Sequence, residues 1–474
     1  MGGAGNDTLR GNSLANTLTG NGGNDTLVGA GGNDEAIGGL GDDTYSFANA
    51  TAAESDLITE ASDEGTDTVS FQSVTTDVTV TLASASSQPV HTNRMLRIAS
   101  ASAIENITGG SGNDSLRGNS LANTLRGNGG NDVLIGGAGN DSVIGGLGDD
   151  TYLFGIASSP ESDTVTESAS QGTDTLSFQS VSSSVTVTLL SSAFQSVHTN
   201  RMLKLVGSTA MENVAGGAGN DSIVGNDLAN LLTGNGGNDS LAGRGGDDSL
   251  NGSAGDDTYV FAPATVAELD TVTESSGQGT DTLTFAALTS SVTVNMGTSA
   301  VQSVHVRRTV KLSSFVDVEN VQGGSADDIL SGSSANNVLT GNGGNDILIG
   351  NSGNDQLFGN AGRDILIGGL GLDTIDGGSE DDILIAGRTL HDTMTSNLID
   401  VRTEWASVRD YPTRTGNVRA GVGASMTSLK TGMNVLNDLG DDDMLTGGSE
   451  QDWYFKAVDD VLTDLFAGEV IDVL

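Results

Sequence analysis

The strongest constraint on the fold of this chain is a nine-residue repeat with no gaps between copies. Each unit carries Asp or Asn in its sixth position, and most units carry an apolar residue in the eighth. The first block consists of GGAGNDTLR, GNSLANTLT, GNGGNDTLV, GAGGNDEAI and GGLGDDTYS. Similar blocks recur further along the chain, giving 22 tandem units. Tandem units of fixed length predict a solenoid, in which each unit contacts only its neighbours.

The composition of one unit indicates how it folds. Glycine in positions one, two and four permits the positive φ of a tight turn. The last three residues alternate polar, apolar and polar, which is typical of a minimal strand with one side chain pointing inward. Two units make an eighteen-residue coil, and stacked coils form parallel sheets around a thin core that includes Leu9, Leu18 and Leu27.

A longer period of 107 residues relates Asp7, Asp114 and Asp221, and it divides the chain into repeat blocks and spacer modules. Alternation such as Val185 and Val187 against Thr186 predicts half-buried strands in the modules. The predicted repeat blocks are 2–46, 109–153, 216–260 and 323–385, the predicted modules are 47–108, 154–215 and 261–322, and 386–474 forms a C-terminal cap.

The charge of the chain limits its partners. Asp and Glu total 62 against 19 Lys and Arg, and the resulting net charge of −43 would repel nucleic acid and anionic lipid. The acids are spaced evenly among apolar residues rather than clustered in runs, which favours ligands over disorder. The chain has no Cys, so disulfides and thiolate metal sites are excluded. The sequence contains neither a signal peptide nor an apolar stretch long enough to form a transmembrane segment.

The units GGAGNDTLR, GGSGNDSLR and GGLGDDTYL resemble the repeats-in-toxin (RTX), or hemolysin-type calcium-binding, family, whose signature is GGxGxDxUx. The resemblance implies a right-handed parallel β-roll (β-solenoid). Together with the β-rich spacer modules and a small C-terminal α+β cap, both inferred from the residues, it predicts an all-β fold class. It also implies that several Ca²⁺ ions lie between successive turns, held by sixth-position Asp carboxylates and turn carbonyls. Type I secretion and an extracellular or cell-surface location follow from the same resemblance.

The residues themselves agree with calcium as the cofactor. Ca²⁺ binds six to eight oxygen ligands, and Asp side chains beside glycine turns supply only oxygen. Partners should lie eighteen residues apart, on successive coils. The candidate metal ligands are Asp7, Asp25, Asp34, Asp43, Asp114, Asp132, Asp141, Asp150, Asp221, Asp239, Asp248, Asp257, Asp328, Asp346, Asp355, Asp364, Asp373 and Asp382. Without the ion these carboxylates repel one another, so we expect folding to require extracellular calcium.

The second unit of each block carries Asn in the sixth position: Asn16, Asn123, Asn230 and Asn337. Eighteen residues before the last three of these stands a glutamate of the preceding module, such as Glu105 before Asn123. We interpret the unit as a junction between module and roll, where a neutral side chain avoids a carboxylate facing Glu. Calcium should then bind more weakly between Asn16 and Asp34 than between Asp7 and Asp25.

Other residues that could carry chemistry recur once per module. His91, His198 and His305 have no Cys or second His nearby in sequence, which favours a strand-end or loop position over a zinc site. Two sets of module acids are either turn residues or accessory calcium ligands, and the sequence leaves both interpretations open. They are the D-x-V-x-E-like pairs Asp56 and Glu60, Asp163 and Glu167, Asp270 and Glu274, and the GTD residues Asp67, Asp174 and Asp281.

The C-terminal segment departs from the repeats. Residues 396–411 place Leu398, Val401, Trp405 and Val408 at helical spacing, which predicts an amphipathic helix on the end of the roll, with Ser396 as its N-cap. Two further repeats are predicted at 438–446 and 447–455. The final residues resemble the uncleaved C-terminal signal of type I secretion.

The predicted function is that of a secreted calcium-binding repeat protein with a structural or adhesive role and cell-surface or matrix polymers as partners. The alternative is a folding and export appendage of a larger hemolysin-type toxin or of a polysaccharide- or protein-degrading enzyme, whose catalytic head would precede Met1. The chain has no phosphate-binding GK[ST], no G-x-S-x-G and no HExxH, so we expect no enzymatic activity from it. The type I secretion machinery is expected as a further partner.

Overall fold

The computed structural model describes residues 1–61, 64–275, 277–314, 317–423, 427–430, 435–437 and 441–474. These residues form two compact units, Met1–Gly236 and Gly237–Leu474. Strands dominate both units, and they are short because each nonapeptide contributes only a few extended residues before the next glycine turn.

Unit 1 contains three large sheets and one additional strand pair. The first sheet contains, in spatial order, Thr8–Arg10, Thr26–Val28, Thr44–Ala48, Thr68–Ser73, Asn106–Thr108, Thr124–Gly129, Ser142–Leu147, Glu161–Thr166, Arg201–Val206 and Gln195–His198. The second contains Thr17–Gly22, Glu35–Leu40, Glu54–Thr59, Arg94–Ile98 and Gln88–His91. The third contains Thr79–Thr81, Ser115–Arg117, Val133–Ile135, Thr151–Leu153, Thr175–Ser177, Asn213–Ala215 and Leu231–Gly236. Thr186–Thr188 pairs with Ser222–Val224, and Ser208–Ala210 forms a 3₁₀ turn.

Unit 2 repeats this arrangement and adds the cap. One group of strands contains Gln302–His305, Arg308–Leu312, Glu268–Thr273 and Ser249–Ala254. A second contains Ser240–Ala242, Thr258–Val260, Thr282–Thr284, Asn320–Gln322, Val338–Gly343, Gln356–Ala361, Thr374–Ser379, Met444–Gly448 and Val461–Leu462. A third contains Thr293–Asn295, Ile329–Ser331, Ile347–Ser352, Ile365–Leu370, Ile383–Ile385, Trp453–Lys456 and Val470–Val473. The cap contains the helices Thr395–Trp405 and Tyr411–Ala420 and the strand pair Arg388–Thr389 with Val435–Leu436.

The strands of blocks and modules share the same parallel sheets. Within a block each strand pairs with the equivalent strand of the next coil, so that Leu9 pairs with Leu27 eighteen residues later. The register continues into the module, where Tyr45 pairs with Val69. Each module ends its sheet with one antiparallel hairpin, such as Gln195–His198 against Arg201–Val206. The fold class is therefore the predicted parallel β-roll with a small α+β cap, and the modules form larger coils of that roll.

The core is as thin as the repeat predicts. The eighth-position residues Leu27, Leu125 and Leu232 are buried, and they stack on equivalent residues of neighbouring coils. The predicted alternation in the modules is confirmed, because Val185 and Val187 are fully buried whereas Thr186 is exposed.

Glycine serves two different purposes within one nine-residue repeat. Positive φ occurs at positions two and four, as at Asn128 (79°) and Gly130 (101°) of the unit 127–135. Gly127, in position one of the same unit, does not have a positive φ. A Cβ there would collide with Asp132 Oδ2 and lie 2.6 Å from the carbonyl oxygen of Gly145. The prediction of positive φ at position one is therefore wrong, because glycine there provides space.

The cap helices pack on the flank of the roll rather than on its end, contrary to the prediction. Leu398, Val401 and Trp405 are buried against an isoleucine surface formed by the strands Ile347–Ser352, Ile365–Leu370 and Ile383–Ile385. In this block the strands read ILI instead of polar, apolar, polar, because both of their faces are buried. The helix ends at Trp405, leaving Val408 exposed, and its N-cap is Met394 rather than Ser396.

The two predicted C-terminal repeats continue the roll after the helical insertion. Met444–Gly448 pairs with Thr374–Ser379, and Trp453–Lys456 pairs with Ile383–Ile385. Residues 438–440 of the first repeat lie outside the described residues. Among the described residues, no helix is long and apolar enough to cross a membrane.

Candidate metal centre

The sixth-position aspartates form continuous rows along the edges of the roll. In the first row the backbone N–H of Asp7 donates to Asp25 Oδ1, and that of Asp25 donates to Asp43 Oδ1, each at 2.7 Å. The same bond links Asp114 to Asp132 to Asp150, Asp239 to Asp257, Asp328 to Asp346 to Asp364 to Asp382, and Asp355 to Asp373. The predicted eighteen-residue spacing is therefore confirmed as a structural spacing, whereas the metal-ligand role of these residues stays a prediction.

The remaining predicted ligands occupy equivalent positions. The N–H groups of Asp34, Asp141 and Asp248 donate to the module residues Asp56, Asp163 and Asp270. Asp221 lies in unit 1, where its Oδ1 accepts the backbone N–H of Val185 (2.8 Å).

The rows extend beyond the residues that the repeat pattern identifies. The N–H of Asp43 donates to Asp67 Oδ1 (2.8 Å), which makes the GTD aspartate of the module the next row member. In the C-terminal repeats the same bond joins Asp373 to Asp443 and Asp382 to Asp452 across seventy residues. The GTD residues, which the sequence left open as turn residues or accessory calcium ligands, share with the repeats a polar residue and an Asp directly before a strand that begins with Thr.

The second carboxylate oxygen of the interior row members is the feature that fits a cation. Among the residues that the structure describes, this Oδ2 is buried without a hydrogen-bond partner in Asp25, Asp34, Asp43, Asp132, Asp141, Asp150, Asp257, Asp346, Asp355, Asp364, Asp382 and Asp452. At Gly20 an added Cβ would meet Asp25 Oδ2 and would lie 2.6 Å from the carbonyl oxygen of Gly38. At Gly20, Gly127 and Gly341 a carboxylate oxygen and a backbone carbonyl oxygen thus converge beside the position-one glycine, which is the ligand chemistry that Ca²⁺ prefers.

The first aspartate of a block that follows a module is bound differently. Asp114 Oδ1 accepts the N–H of Val78 (2.8 Å), and its Oδ2 accepts the N–H of Gly110 (2.6 Å). Asp328 has the same two partners in Val292 and Gly324. Both oxygens of these leading carboxylates are therefore engaged by the backbone, whereas one oxygen of each interior carboxylate named above is not.

Electrostatics add to the demand for a cation. Burial raises the pKa of Asp132 to about 8, although the N–H of Asp114 lowers it, and the negative charges of Asp114 and Asp150 raise it further. Burial raises the pKa of Asp346 to about 8 as well, with the charge of Asp364 as the next cause. A divalent ion between the coils would offset both the desolvation and the repulsion.

The asparagine units close one row segment and begin the next. Asn123 Oδ1 accepts the N–H of Asn119 (2.8 Å), while its Nδ2 donates to the backbone carbonyl of Glu105 (2.9 Å). The side chain of Glu105 faces the other way and accepts the N–H of Asp67 (2.8 Å). The side-chain amide of Asn123 therefore supplies an N–H donor, which a carboxylate could not. It donates to the main-chain carbonyl of Glu105 and makes no hydrogen bond to the Glu105 side chain.

Each module contains a buried arginine that forms ion pairs with two acids of the same module. Arg94 forms ion pairs with Glu54 and Asp56, and its guanidinium lies 5.0 Å from the centre of the Phe47 ring. Arg201 and Arg308 occupy the same position in the next two modules. The acidic repeat pattern does not predict these ion pairs, although an arginine recurs three residues after each module His in this acidic chain.

The three module histidines lie at strand ends, as the sequence predicts. His91, His198 and His305 each end the first strand of the antiparallel hairpin. Burial lowers the pKa of all three, and the charge of the neighbouring arginine lowers it further. Within the described part of the chain, the groups of three or more potential metal ligands contain none of these histidines.

Comparison with known families identifies the repeat blocks. The family model described as RTX calcium-binding nonapeptide repeat (4 copies) matches residues 1–13, 10–45, 102–120, 117–152, 206–227, 224–259, 322–357 and 358–388. These residues include the rows of interior aspartates. A search of curated proteins finds no match for the chain.

Proposed function

Because the four repeat blocks of this chain belong to the RTX calcium-binding nonapeptide repeat family, we propose that the chain is a secreted protein whose folding is driven by extracellular Ca²⁺. The observation that carries the proposal is the set of buried Oδ2 atoms that have no hydrogen-bond partner among the described residues, and those of Asp25, Asp132 and Asp346 lie beside a backbone carbonyl. The ion would bind between successive coils through these oxygens and offset the negative charge of the rows.

The physical argument is one of linkage between binding and folding. The rows form only when successive coils are stacked, so the unfolded chain has no preformed site and the ion binds the folded state selectively. Each site adds about 2.7 kcal/mol to stability when free calcium is a hundredfold above its dissociation constant. Several sites per block multiply that contribution, whereas the calcium-free rows retain their buried, mutually repelling carboxylates.

We propose a structural or adhesive role for the calcium-loaded roll rather than catalysis. The acids of the rows are held by backbone N–H groups and lie between coils, which suits them to ion binding more than to proton transfer on a substrate. Export by a type I system and binding to cell-surface or matrix polymers belong to the same proposal. A role as the appendage of a larger toxin or degradative enzyme remains the alternative.

A calcium titration followed by far-ultraviolet circular dichroism tests the folding proposal. We expect little β signal in EGTA, a cooperative gain of β signal on adding Ca²⁺, and a much smaller effect of Mg²⁺, which accepts the flexible carbonyl cage less readily. Asp132→Asn should weaken the response, whereas Asp149→Asn, at an exposed carboxylate one coil further along, should not. An unchanged spectrum in EGTA would contradict the proposal.

Cell aggregation with and without calcium separates the two roles. The adhesive role predicts that the purified chain aggregates cells only when calcium is present. The appendage role predicts no aggregation, and it also predicts that the reading frame upstream of Met1 continues into a catalytic domain.

A further inference from the structure

Each spacer module brings a glutamate to the point where a repeat block ends. Glu60 lies beside Asp43, the last sixth-position residue of the first block, and beside Asp67 of the module. One oxygen from each of the three carboxylates lies within 4.8 Å of the others, and all three residues are buried. The same group recurs as Asp150, Glu167 and Asp174 and as Asp257, Glu274 and Asp281, and we refer to the three groups as the junction triads.

The ordinary positions of the rows place a backbone carbonyl oxygen beside the aspartate, whereas the triads place side-chain oxygens there. At Gly20 the gap is bounded by Asp25 Oδ2 and the Gly38 carbonyl. A Cβ at Gly38 would instead meet Asp43 Oδ2, with Glu60 Oε2 at 2.5 Å and the Tyr45 hydroxyl at 2.6 Å. A carboxylate and a phenol oxygen thus stand where a carbonyl stands elsewhere.

The aspartate of each triad also contributes an unsatisfied oxygen. Asp43, Asp150 and Asp257 are each 1% exposed, and within the described residues the Oδ2 of each has no hydrogen-bond partner. Oxygen atoms at this depth are costly to leave unpaired unless a bound group satisfies them.

The same modules contain a second carboxylate pair, which shows how the chain satisfies buried acids when it uses its own side chains. Glu161 and Asp163 are buried to the same degree as the triads, and Arg201 forms an ion pair with each of them. Over the described part of the chain, no Lys or Arg forms an ion pair with any triad residue. Each module therefore contains two equally buried acidic clusters: one forms ion pairs with an arginine, and the other has no basic side chain in an ion pair among the described residues.

We propose that each junction triad is a metal site of its own class, which binds one hard divalent cation, Ca²⁺ in the extracellular medium, through three carboxylates. This inference rests on the proposed calcium-driven folding and adds to it the role of the modules. Each module would complete the last site of the preceding block and fasten itself to the roll through the ion.

The charge of the triads favours occupation at lower calcium than the ordinary row sites. Three carboxylates attract a divalent cation more strongly than the pair of carboxylates and neutral carbonyls of a row site. The competing arrangement is a proton held between Tyr152 and Glu167, whose side chains are in hydrogen-bond contact.

Counting bound ions in the full-length chain tests the proposal. The variant Glu60→Gln/Glu167→Gln/Glu274→Gln keeps the size of each side chain but removes one charge from every triad. We expect it to bind three fewer Ca²⁺ per chain than the unmodified protein in equilibrium dialysis, and to need at least tenfold more calcium for half-maximal folding.

A matched control removes the same number of negative charges close to the triads. Asp42→Asn/Asp149→Asn/Asp256→Asn alters exposed carboxylates that precede the triad aspartates, and it should leave the ion count unchanged. If the triple glutamine variant does not fold, the single variant Glu167→Gln leaves two triads intact and should bind one Ca²⁺ fewer.

The outcomes separate this inference from the proposed function. If the glutamine variants bind as many ions as the unmodified chain, the triads hold a proton and the inference is wrong, while calcium-driven folding stands. If the unmodified chain neither binds Ca²⁺ nor responds to EGTA, the proposed function fails and the inference fails with it.

Discussion

A single added methyl group at a position-one glycine tests whether the repeat is constrained by space or by backbone conformation. Gly127 has no positive φ, so its backbone alone would tolerate alanine. The alanine Cβ would nevertheless press on Asp132 Oδ2 and lie 2.6 Å from the Gly145 carbonyl oxygen. Neither neighbour can move freely, because Asp132 Oδ1 accepts the N–H of Asp114 and Gly145 lies within the strand Ser142–Leu147.

The same unit supplies a control for this substitution. A Cβ at Gly129 would find its nearest atoms, both of Leu147, at 3.9 Å, and Gly129 also lacks a positive φ. Overpacking of a tight site costs about 1–3 kcal/mol. Replacing a glycine by alanine where the backbone permits it stabilises by about 0.4–1 kcal/mol through the unfolded chain. The free energies of unfolding of Gly127→Ala and Gly129→Ala should therefore differ by roughly 1.5–4 kcal/mol.

Urea unfolding in saturating calcium, followed by far-ultraviolet circular dichroism, measures this difference. Gly127→Ala should unfold at lower urea than the unmodified chain, and Gly129→Ala at equal or higher urea. The methyl group also displaces Asp132 Oδ2, which is a predicted calcium ligand. The loss in free energy of unfolding caused by Gly127→Ala should therefore grow as the calcium concentration is raised. The spatial explanation would be refuted if the two variants had the same unfolding midpoint.

Three further predictions concern charge. Arg201→Met leaves Glu161 and Asp163 buried without a cation, which should lower the free energy of unfolding by about 3–5 kcal/mol in a urea titration; an unchanged midpoint would contradict the ion pairs. Asn123→Asp replaces the donor to the Glu105 carbonyl by an acceptor, and in a urea titration at a fixed calcium concentration that folds the chain it should lower the free energy of unfolding by about 1–3 kcal/mol; equal stability would dismiss the donor role. Burial raises the pKa of interior row carboxyls, so the calcium-free fold is most stable below their ordinary pKa and loses stability as pH rises through the raised values. In buffer freed of calcium by a chelating resin, the β signal should therefore be larger at pH 5 than at pH 8, and in limiting calcium the order should reverse because protons compete with the ion; a signal independent of pH would contradict the raised pKa values.

The repeat alone determined the roll and the spacing of its rows. A nine-residue period is local information: glycine turns and a three-residue strand recur so regularly that stacking coils is the only way to bury Leu27 and its equivalents. The eighteen-residue distance between Asp7 and Asp25 follows directly, because two units close one coil. The sixth-position aspartates were therefore identifiable from the sequence as a set.

The isoleucine triplets were visible in the sequence but could not be interpreted there. Ile347, Ile365 and Ile383 are buried because two helices, contributed by an insertion between repeats, cover that flank of the roll. A strand with apolar residues on both faces indicates only that something covers it. Which segment covers it depends on tertiary packing.

The continuation of the rows through the modules was decided by tertiary structure alone. Asp43 meets Asp67 after 24 residues, and Asp67 meets Glu105 after 38. No periodic rule predicts such connections, because the loops between strands vary in length while only the strand register is fixed. The three-dimensional arrangement likewise decided that Arg94 forms an ion pair with Asp56, and that Glu60 lies beside Asp43 with no basic partner among the described residues. Pairing between buried charges depends on distances of a few ångströms between residues far apart in the chain, and sequence order does not encode those distances.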